Sequence, residues 1–530
     1  MNEINILLVA LYRNVNIPIR IMHPLLETID GVKPHSIFFK HFEANLGKAP
    51  TDIEEELFIK KIIELNPRLI GISVLSPYVP IARRLTKLIR ENSSALVVWG
   101  GIHPTISPES CIHEADMICV GEGEGAIVDI ATHLRDGKDY SHINNLWINN
   151  RGDIIRNPMR PLIQNLDSLP PLSYGNDSFY FINSNKIIKK DPLLWGSYLW
   201  IQTSRGCPFV CSYCVNSLLR PLFKDLGNYT RRRSVDSIIK EIRNNLSGTM
   251  DYVYFLDETF GNDESWLDEF ESRYKKEIGL PFTAEYHPKM VNIKMLNKLV
   301  NSGLHTIKIG IQAGTDHIRN HIFHRAGKNK DIILLAKNII NYGVTIRYDL
   351  ILDNPYDTEA SLKNCIRVLL QLPKPLSFNL YSLQYFPDYP LTKKALEDGF
   401  IKIEDANIER LMETNLKNWS ISPRLLPYNK KQALQNIIWL VVWGHVSNKI
   451  VRFGVFGNSW LSKLCFIYMN FKAIIFGKIL GIGGIVYKNS WMRFLINGFK
   501  HILKGNIKIL FLKIKKHIFI YTYKRKIMHE

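Results

Sequence analysis

At 530 residues, 46% of them hydrophobic, the chain can bury two to four separate cores and is multidomain. Seven cysteines, an odd number and mostly scattered, exclude a secreted disulfide framework and point to a reducing cytosol. The net charge of +19 suggests nucleic acid at first sight, yet seventeen Lys or Arg and a single acid, Glu530, lie between Lys431 and Glu530. The basicity belongs to the tail, no recognition motif accompanies it, and a nucleic-acid partner is not expected.

The N-terminus, MNEINILLVALYRN, carries an acid before a short apolar run and no small-residue cleavage site, so it reads as a first strand rather than a signal peptide. Apolar runs at Asn5–Ala10, Leu69–Val74 and Ala95–Val98 alternate with helical-period segments at Ile53–Leu65 and Ile81–Glu91. That alternation predicts a doubly wound, Rossmann-like α/β domain over residues 1–150. The third run ends in WGGIHPT, where Gly100 and Gly101 would let backbone approach a ligand. A further strand, Met117–Val120, runs into GEGEGA with Gly121 and Gly123 at the same sheet edge.

Taken alone, these glycines are equally well tight strand-to-helix turns. Their order, GGIHPT, then PES, then GEGEG, resembles the cobalamin (B12)-binding domain that precedes many radical S-adenosylmethionine (SAM) enzymes. The resemblance implies a corrin held over the carboxyl ends of the strands by Gly100, Gly101, Gly121 and Gly123. His103 is a further cofactor-binding candidate, with packing or hydrogen bonding in the turn as its more ordinary role. The loop LYRNVNIP (Leu11–Pro18) lacks the Asp-x-His-x-x-Gly motif that supplies a lower cobalt ligand. Either the corrin binds without a protein imidazole or the domain binds none.

Residues 151–195 read as a linker, and residues 196–405 as a second unit. Its stretch GCPFVCSYC places Cys207, Cys211 and Cys214 in the spacing C-x3-C-x2-C, which aims three thiolates at one point. Structural zinc normally takes four ligands, and residues 196–230 hold no fourth Cys and no His. A four-iron four-sulfur cube held by three thiolates keeps one iron open. The stretch closely resembles the radical SAM superfamily, where the amino and carboxylate end of SAM fills that site and an aromatic, here Tyr213, precedes the last Cys. An iron-sulfur or zinc protein without SAM chemistry is the alternative.

Strands are predicted at Leu199–Thr203, Tyr252–Leu256, Phe282–Tyr286, Thr306–Ile311, Thr345–Leu352 and Ser377–Gln384, giving a partial (β/α)6 barrel with its site at the carboxyl-end loops. FLDETFGND resembles a family segment that puts Asp257 and Glu258 near the SAM ammonium, although acids at strand ends also serve as helix caps. IGIQAGTD likewise points to Gln312, and HRAGK to Arg325 as a partner of the SAM carboxylate, with a solvated helix Arg as the plain alternative. In DLILDNPYDTE, Asp353 and Tyr356 stand where the family has glycines, which bears on the tightness of that turn.

The resemblance implies reductive cleavage of SAM at a [4Fe-4S] cluster to a 5'-deoxyadenosyl radical, under anaerobic conditions. Cobalamin-dependent methylation of an unactivated carbon is the first reading, radical cyclisation or rearrangement the second, and a non-catalytic iron-sulfur or cobalamin sensor the reading from another class. The implied partners are a small-molecule or lipid substrate and a low-potential electron donor such as flavodoxin or ferredoxin. The sequence assigns no catalytic side chain beyond the cofactor positions.

Residues 406–530 form a basic, mostly helical region. Its apolar runs Ile437–Trp443 and Lys472–Tyr487 are interrupted before the roughly 20 residues that a spanning helix needs. In Ile507–Tyr521, helical spacing gathers Ile507, Leu510, Phe511, Ile514, Ile518 and Tyr521 on one face, with Lys508, Lys513, Lys515 and Lys516 mostly opposite. Two compatible readings follow: a helical cap on the barrel, and peripheral contact with an anionic membrane. The expected location is cytoplasmic, at the inner membrane face if the second holds.

Overall fold

The computed structural model describes residues 3–480, except 42–47, 247–249, 262, 410, 412–422, 424–428 and 445. The first sheet contains β1 (Ile4–Leu11), β2 (Val32–Phe39), β3 (Leu69–Ser73), β4 (Leu96–Gly100), β5 (Met117–Cys119), β6 (Leu146–Asn150), β7 (Asp153–Arg156), β8 (Phe179–Asn183) and β9 (Lys186–Ile188). Their order is β7-β6-β5-β4-β3-β1-β2-β8-β9. The six strands from β5 to β8 pair in parallel, while β6, β7 and β9 close the edges antiparallel.

Parallel strands covered on both faces need apolar side chains in both directions. In β1, Leu7, Val9 and Leu11 pack on the face covered by the helices Asp52–Leu65 and Val79–Asn92, and Ile6, Leu8 and Ala10 on the face of Ile17–Glu27 and Glu124–Asp136. The chain leaves β1 towards β2 and then returns to the other side of β1 as β3. Such a reversal opens a crevice outside the carboxyl ends of β1 and β3.

Two departures from the sequence reading occur here. Strand β2 was not predicted, because in VKPHSIFF Lys33, Pro34 and His35 interrupt the pattern after Val32 and a continuous apolar run comes only at Ile37–Phe39. The stretch 151–195 is not a bare linker: β8 pairs with β2 and β9 folds back on β8, so this segment completes the first sheet.

The second sheet runs β10 (Tyr198–Ile201), β13 (Tyr252–Phe255), β14 (Phe282–Tyr286), β15 (Leu304–Gln312), β16 (Thr345–Leu352) and β17 (Phe378–Ser382), each parallel to the next. Between β10 and β13, β11 (Ser204–Arg205) and β12 (Arg231–Arg232) form a short antiparallel ribbon. Apolar side chains of the strands pack outward on the helices Val235–Asn245, Glu264–Glu277, Ile293–Ser302, Asn329–Asn341 and Glu359–Leu369. The helix Lys430–Val442 joins the same core, with Ala433 through Val442 buried. The amphipathic segment at 507–521 lies outside the described residues.

Candidate active site

The cysteine loop leaves β11 at the carboxyl end of the barrel. Gly206 has φ +83°, and a Cβ there would collide with the Tyr229 carbonyl, so the residue before Cys207 has to be glycine. Cys211 is buried, and Cys207 and Cys214 are partly so. Burial pushes the Cys207 thiol up to about 11, reinforced by repulsion from Cys214, Glu258 and Cys211; burial likewise raises Cys214. The three sulfurs therefore feel one another, and three thiolates in so dry a place call for positive charge. Arg325 Nη1 stands 3.8 Å from Cys211 Sγ, and Asn216 Nδ2 donates to Cys214 Sγ at 3.5 Å. Among the described residues no three His, Cys, Asp or Glu side chains are arranged to hold a single metal ion. Polycationic iron spread over three thiolates suits this donor set.

Tyr213, partly buried, packs edge-on against Phe323 at 5.0 Å. Arg325 donates twice to the Gly310 carbonyl, at 3.2 and 3.1 Å. Gln312, at φ +63°, folds back over the same glycine, where an added Cβ would collide with its amide nitrogen. Gln312 and Arg325 thus meet at the end of β15, beside the cysteines.

The two acids after β13 separate. Asp257 is buried and accepts from the Thr203 amide at 3.1 Å, from Thr203 Oγ1 at 2.8 Å and from Ser204 Oγ. Expected near the SAM ammonium, its carboxylate is instead engaged in tying the end of β13 to the start of the cysteine loop. Glu258 is exposed at its tip. The protein atoms around it cost its carboxylate part of its hydration and push the carboxyl up to about 7, with Asp257 and Glu285 adding repulsion. Its charge reaches Cys207, Cys214 and Tyr229.

A cavity of about 320 Å³ occupies the crevice at β1 and β3. Leu8, Gly71 and Ser73 form its sheet side, Gly100, Gly101, Gly121 and Gly123 its rim, and Gln202, Arg205 and Phe223 the side towards the barrel. A Cβ on Gly101, at φ +102°, would stand 3.0 Å from the Val74 carbonyl, and one on Gly123 2.6 Å from Met22 Cε. His103 lies elsewhere: it is buried, its Nδ1 is 3.0 Å from Ser76 Oγ, and burial lowers its pKa to about 4. Among the described residues no histidine lines the cavity. The rim and the apolar walls suit a flat macrocycle approached by backbone, with no imidazole from this chain beneath it.

Sequence reasoning missed three features. Glu122, between the two rim glycines, accepts from Arg205 at 2.9 Å and from Arg231 at 3.0 Å, while Glu124 accepts from Arg205 at 2.5 Å. Arg205 and Arg231 are opposite partners in the β11–β12 ribbon, so this lock fastens the cavity rim to the cysteine loop. Burial would raise Glu122, but Arg205 and Arg231 outweigh it and hold the carboxyl below its usual range. Second, Lys308 on β15 bridges Glu285 at 2.9 Å and Asp349 at 3.3 Å, with Tyr254 donating to Glu285 and Asn379 to Asp349. Third, His287 stacks on Phe209 of the cysteine loop at 3.8 Å; its Nδ1 accepts from the Lys289 amide, which leaves Nε2 carrying the proton.

Comparison with known proteins agrees with this arrangement. The B12 binding domain family matches residues 41–131, and the radical SAM superfamily matches residues 201–369. An uncharacterised methyltransferase of Pyrococcus horikoshii is 30% identical over 276 residues, 50% of this chain and 56% of that protein. An anaerobic magnesium-protoporphyrin IX monomethyl ester cyclase of Cereibacter sphaeroides is 25% identical over 307 residues, 54% of this chain and 47% of the cyclase. The matches thus span about half the length of these relatives. Among solved structures, the cobalamin-dependent SAM radical enzyme OxsB with aqua-cobalamin superposes with a TM-score of 0.61 at 15% identity, over 99% of this chain and 80% of that one. The radical SAM methyltransferase TsrM of Kitasatospora setae, with cobalamin and a [4Fe-4S] cluster, gives 0.60 at 16% identity, over 85% and 90%. The chain thus carries a radical SAM domain matched over residues 201–369 and a B12 binding domain matched over residues 41–131.

Proposed function

We propose that this protein is a cobalamin-dependent radical SAM methyltransferase that methylates an unactivated carbon. One observation carries the reading: the glycine-rimmed cavity at the β1/β3 crevice faces the three-cysteine loop across the Glu122–Arg205 lock. The methyltransferase name of the Pyrococcus relative and the OxsB and TsrM folds support it. Cys207, Cys211 and Cys214 would hold the cluster, and the rim glycines the corrin. Arg325 would take the SAM carboxylate as a bidentate fork, Glu258 its ammonium, and Gln312 would fix its orientation. Bound there, these cofactors supply one-electron cleavage of SAM to a 5'-deoxyadenosyl radical and a transferable methyl group.

The chain's own contribution is positioning and exclusion of water. Lys308, flanked by Glu285 and Asp349, gives the barrel interior a fixed polar feature against which a substrate's polar end can register. Burial lowers the pKa of Lys308, but the two carboxylates overrule it and keep the ammonium charged. Residues 1–195 would act as the corrin-holding unit and 196–405 as the radical unit, in a reducing cytosol with a flavodoxin or ferredoxin as electron donor. Anaerobic incubation of reconstituted protein with SAM and dithionite tests this. It should yield 5'-deoxyadenosine, and S-adenosylhomocysteine only when cobalamin is loaded; cobalamin-independent products would contradict the methyltransferase reading.

A further inference from the structure

The helix Trp460–Leu480 is apolar on two sides. One side, with Phe466, Met469 and Ala473, is buried in the outer core of the barrel. The opposite side presents Trp460, Leu464, Tyr468, Phe471 and Ile475, each more than half exposed. At 3.6 residues per turn these five fall within an arc of about 80°. Lys463 stands within about 60° of one edge of that arc, and Lys472 within about 40° of the other. The preceding helix, Asn448–Phe456, packs against this one and exposes Ile450 and Phe453 beside Lys449 and Arg452.

A water-facing row of large apolar side chains marks a surface that has an occupant. Charge identifies which. From Lys431 onward the sequence contains seventeen Lys or Arg and no acid before Glu530. A second copy of this chain would bring the same lysines against these, so self-association is opposed by like charge. An anionic lipid surface satisfies both halves of the pattern: the apolar arc enters the acyl boundary while the flanking lysines extend their stems and keep their ammonium groups among the headgroups. Trp460 and Tyr468 have the amphipathic rings that favour that boundary. Among the described residues no helix is long and apolar enough to cross a membrane, so this one would lie in the plane. We propose that the helix Trp460–Leu480 docks the protein on an anionic lipid surface through this lysine-edged apolar arc.

Flotation of the full chain with phosphatidylcholine vesicles, with and without phosphatidylglycerol, tests the proposal. The wild type should float with the anionic vesicles and lose binding as salt rises. L464S/F471S should lose roughly tenfold or more in partitioning, and K463E/K472E a similar amount, with elution volume unchanged because Lys463, Leu464 and Phe471 are exposed and Lys472 is partly so. No flotation of the wild type, equal binding to neutral vesicles, or undiminished binding of L464S/F471S would overturn the proposal. So would a wild-type dimer that L464S/F471S converts to monomer, which would give the face to a second copy.

Discussion

Replacing Glu122 by Gln removes one charge from the junction of the two domains while keeping the side chain's shape. The wild-type carboxylate accepts from Arg205, from Arg231 with both oxygens, and from the Ile163 amide at 2.8 Å. The side chains are 16% exposed at Glu122, 15% at Arg205 and 5% at Arg231, so little solvent screens the loss. Breaking a buried ion pair costs about 3–5 kcal/mol. The lower end applies, since Arg205 keeps Glu124 and the amide keeps one acceptor, but Arg231 then faces an NH2 group. About 3 kcal/mol lowers the Tm of a unit of this size by about 6–12 °C. Thermal unfolding at pH 7, with retained cobalt counted after gel filtration, reads both stability and the rim. The Glu122 pKa is depressed, so its stabilisation is complete above the usual carboxyl range near 4.3 and fades as pH falls through the lowered value. Wild type and E122Q should therefore converge in acid. A Tm within about 2 °C of wild type at pH 7, with cobalt retention unchanged, would refute the lock.

Other consequences are as specific. Cys211→Ala should abolish cluster assembly and all SAM cleavage while leaving far-UV circular dichroism unchanged; the test is iron content beside 5'-deoxyadenosine yield. Gly123→Val puts two methyl groups where even a Cβ is 2.6 Å from Met22 Cε, so cobalamin retention should fall at least about tenfold with iron content unaltered. Lys308→Met leaves Glu285 and Asp349 facing each other without their cation; substrate methylation should collapse while SAM cleavage persists, and a parallel loss of both would place Lys308 in SAM binding instead.

Contiguous chemistry was legible in the sequence, and chemistry assembled across the chain was not. The cysteine loop could be read because its three thiols lie within eight positions, and the barrel because each strand is a short apolar run between helical segments. Phe282–Tyr286 and Thr345–Leu352 fall where they were predicted. Asp353 takes φ +55°, so the turn has a left-handed backbone at a position where the resemblance implies glycine, and its carboxylate accepts from Ser382 Oγ at 2.9 Å. By contrast, β2 hides behind a Pro and a His, and β8 pairs with residues 143 positions earlier, which disguised it as linker. The Glu122–Arg205–Arg231 lock joins residues up to 109 positions apart. The alternation of β13–β17, with Tyr254, Glu285, Lys308, Asp349 and Asn379 pointing away from the apolar outer layer, was visible in principle as a period of two. Asp257 could not be assigned locally, because its partners sit at the end of another strand.

The central claim is that one chain holds both cofactors, and the most direct test is the iron and cobalt content of protein reconstituted anaerobically with iron, sulfide and hydroxocobalamin, then desalted. The account predicts about four irons per chain together with stoichiometric cobalt. Four irons without cobalt would contradict the corrin-binding role of the β1/β3 cavity and remove methylation through cobalamin from the mechanism.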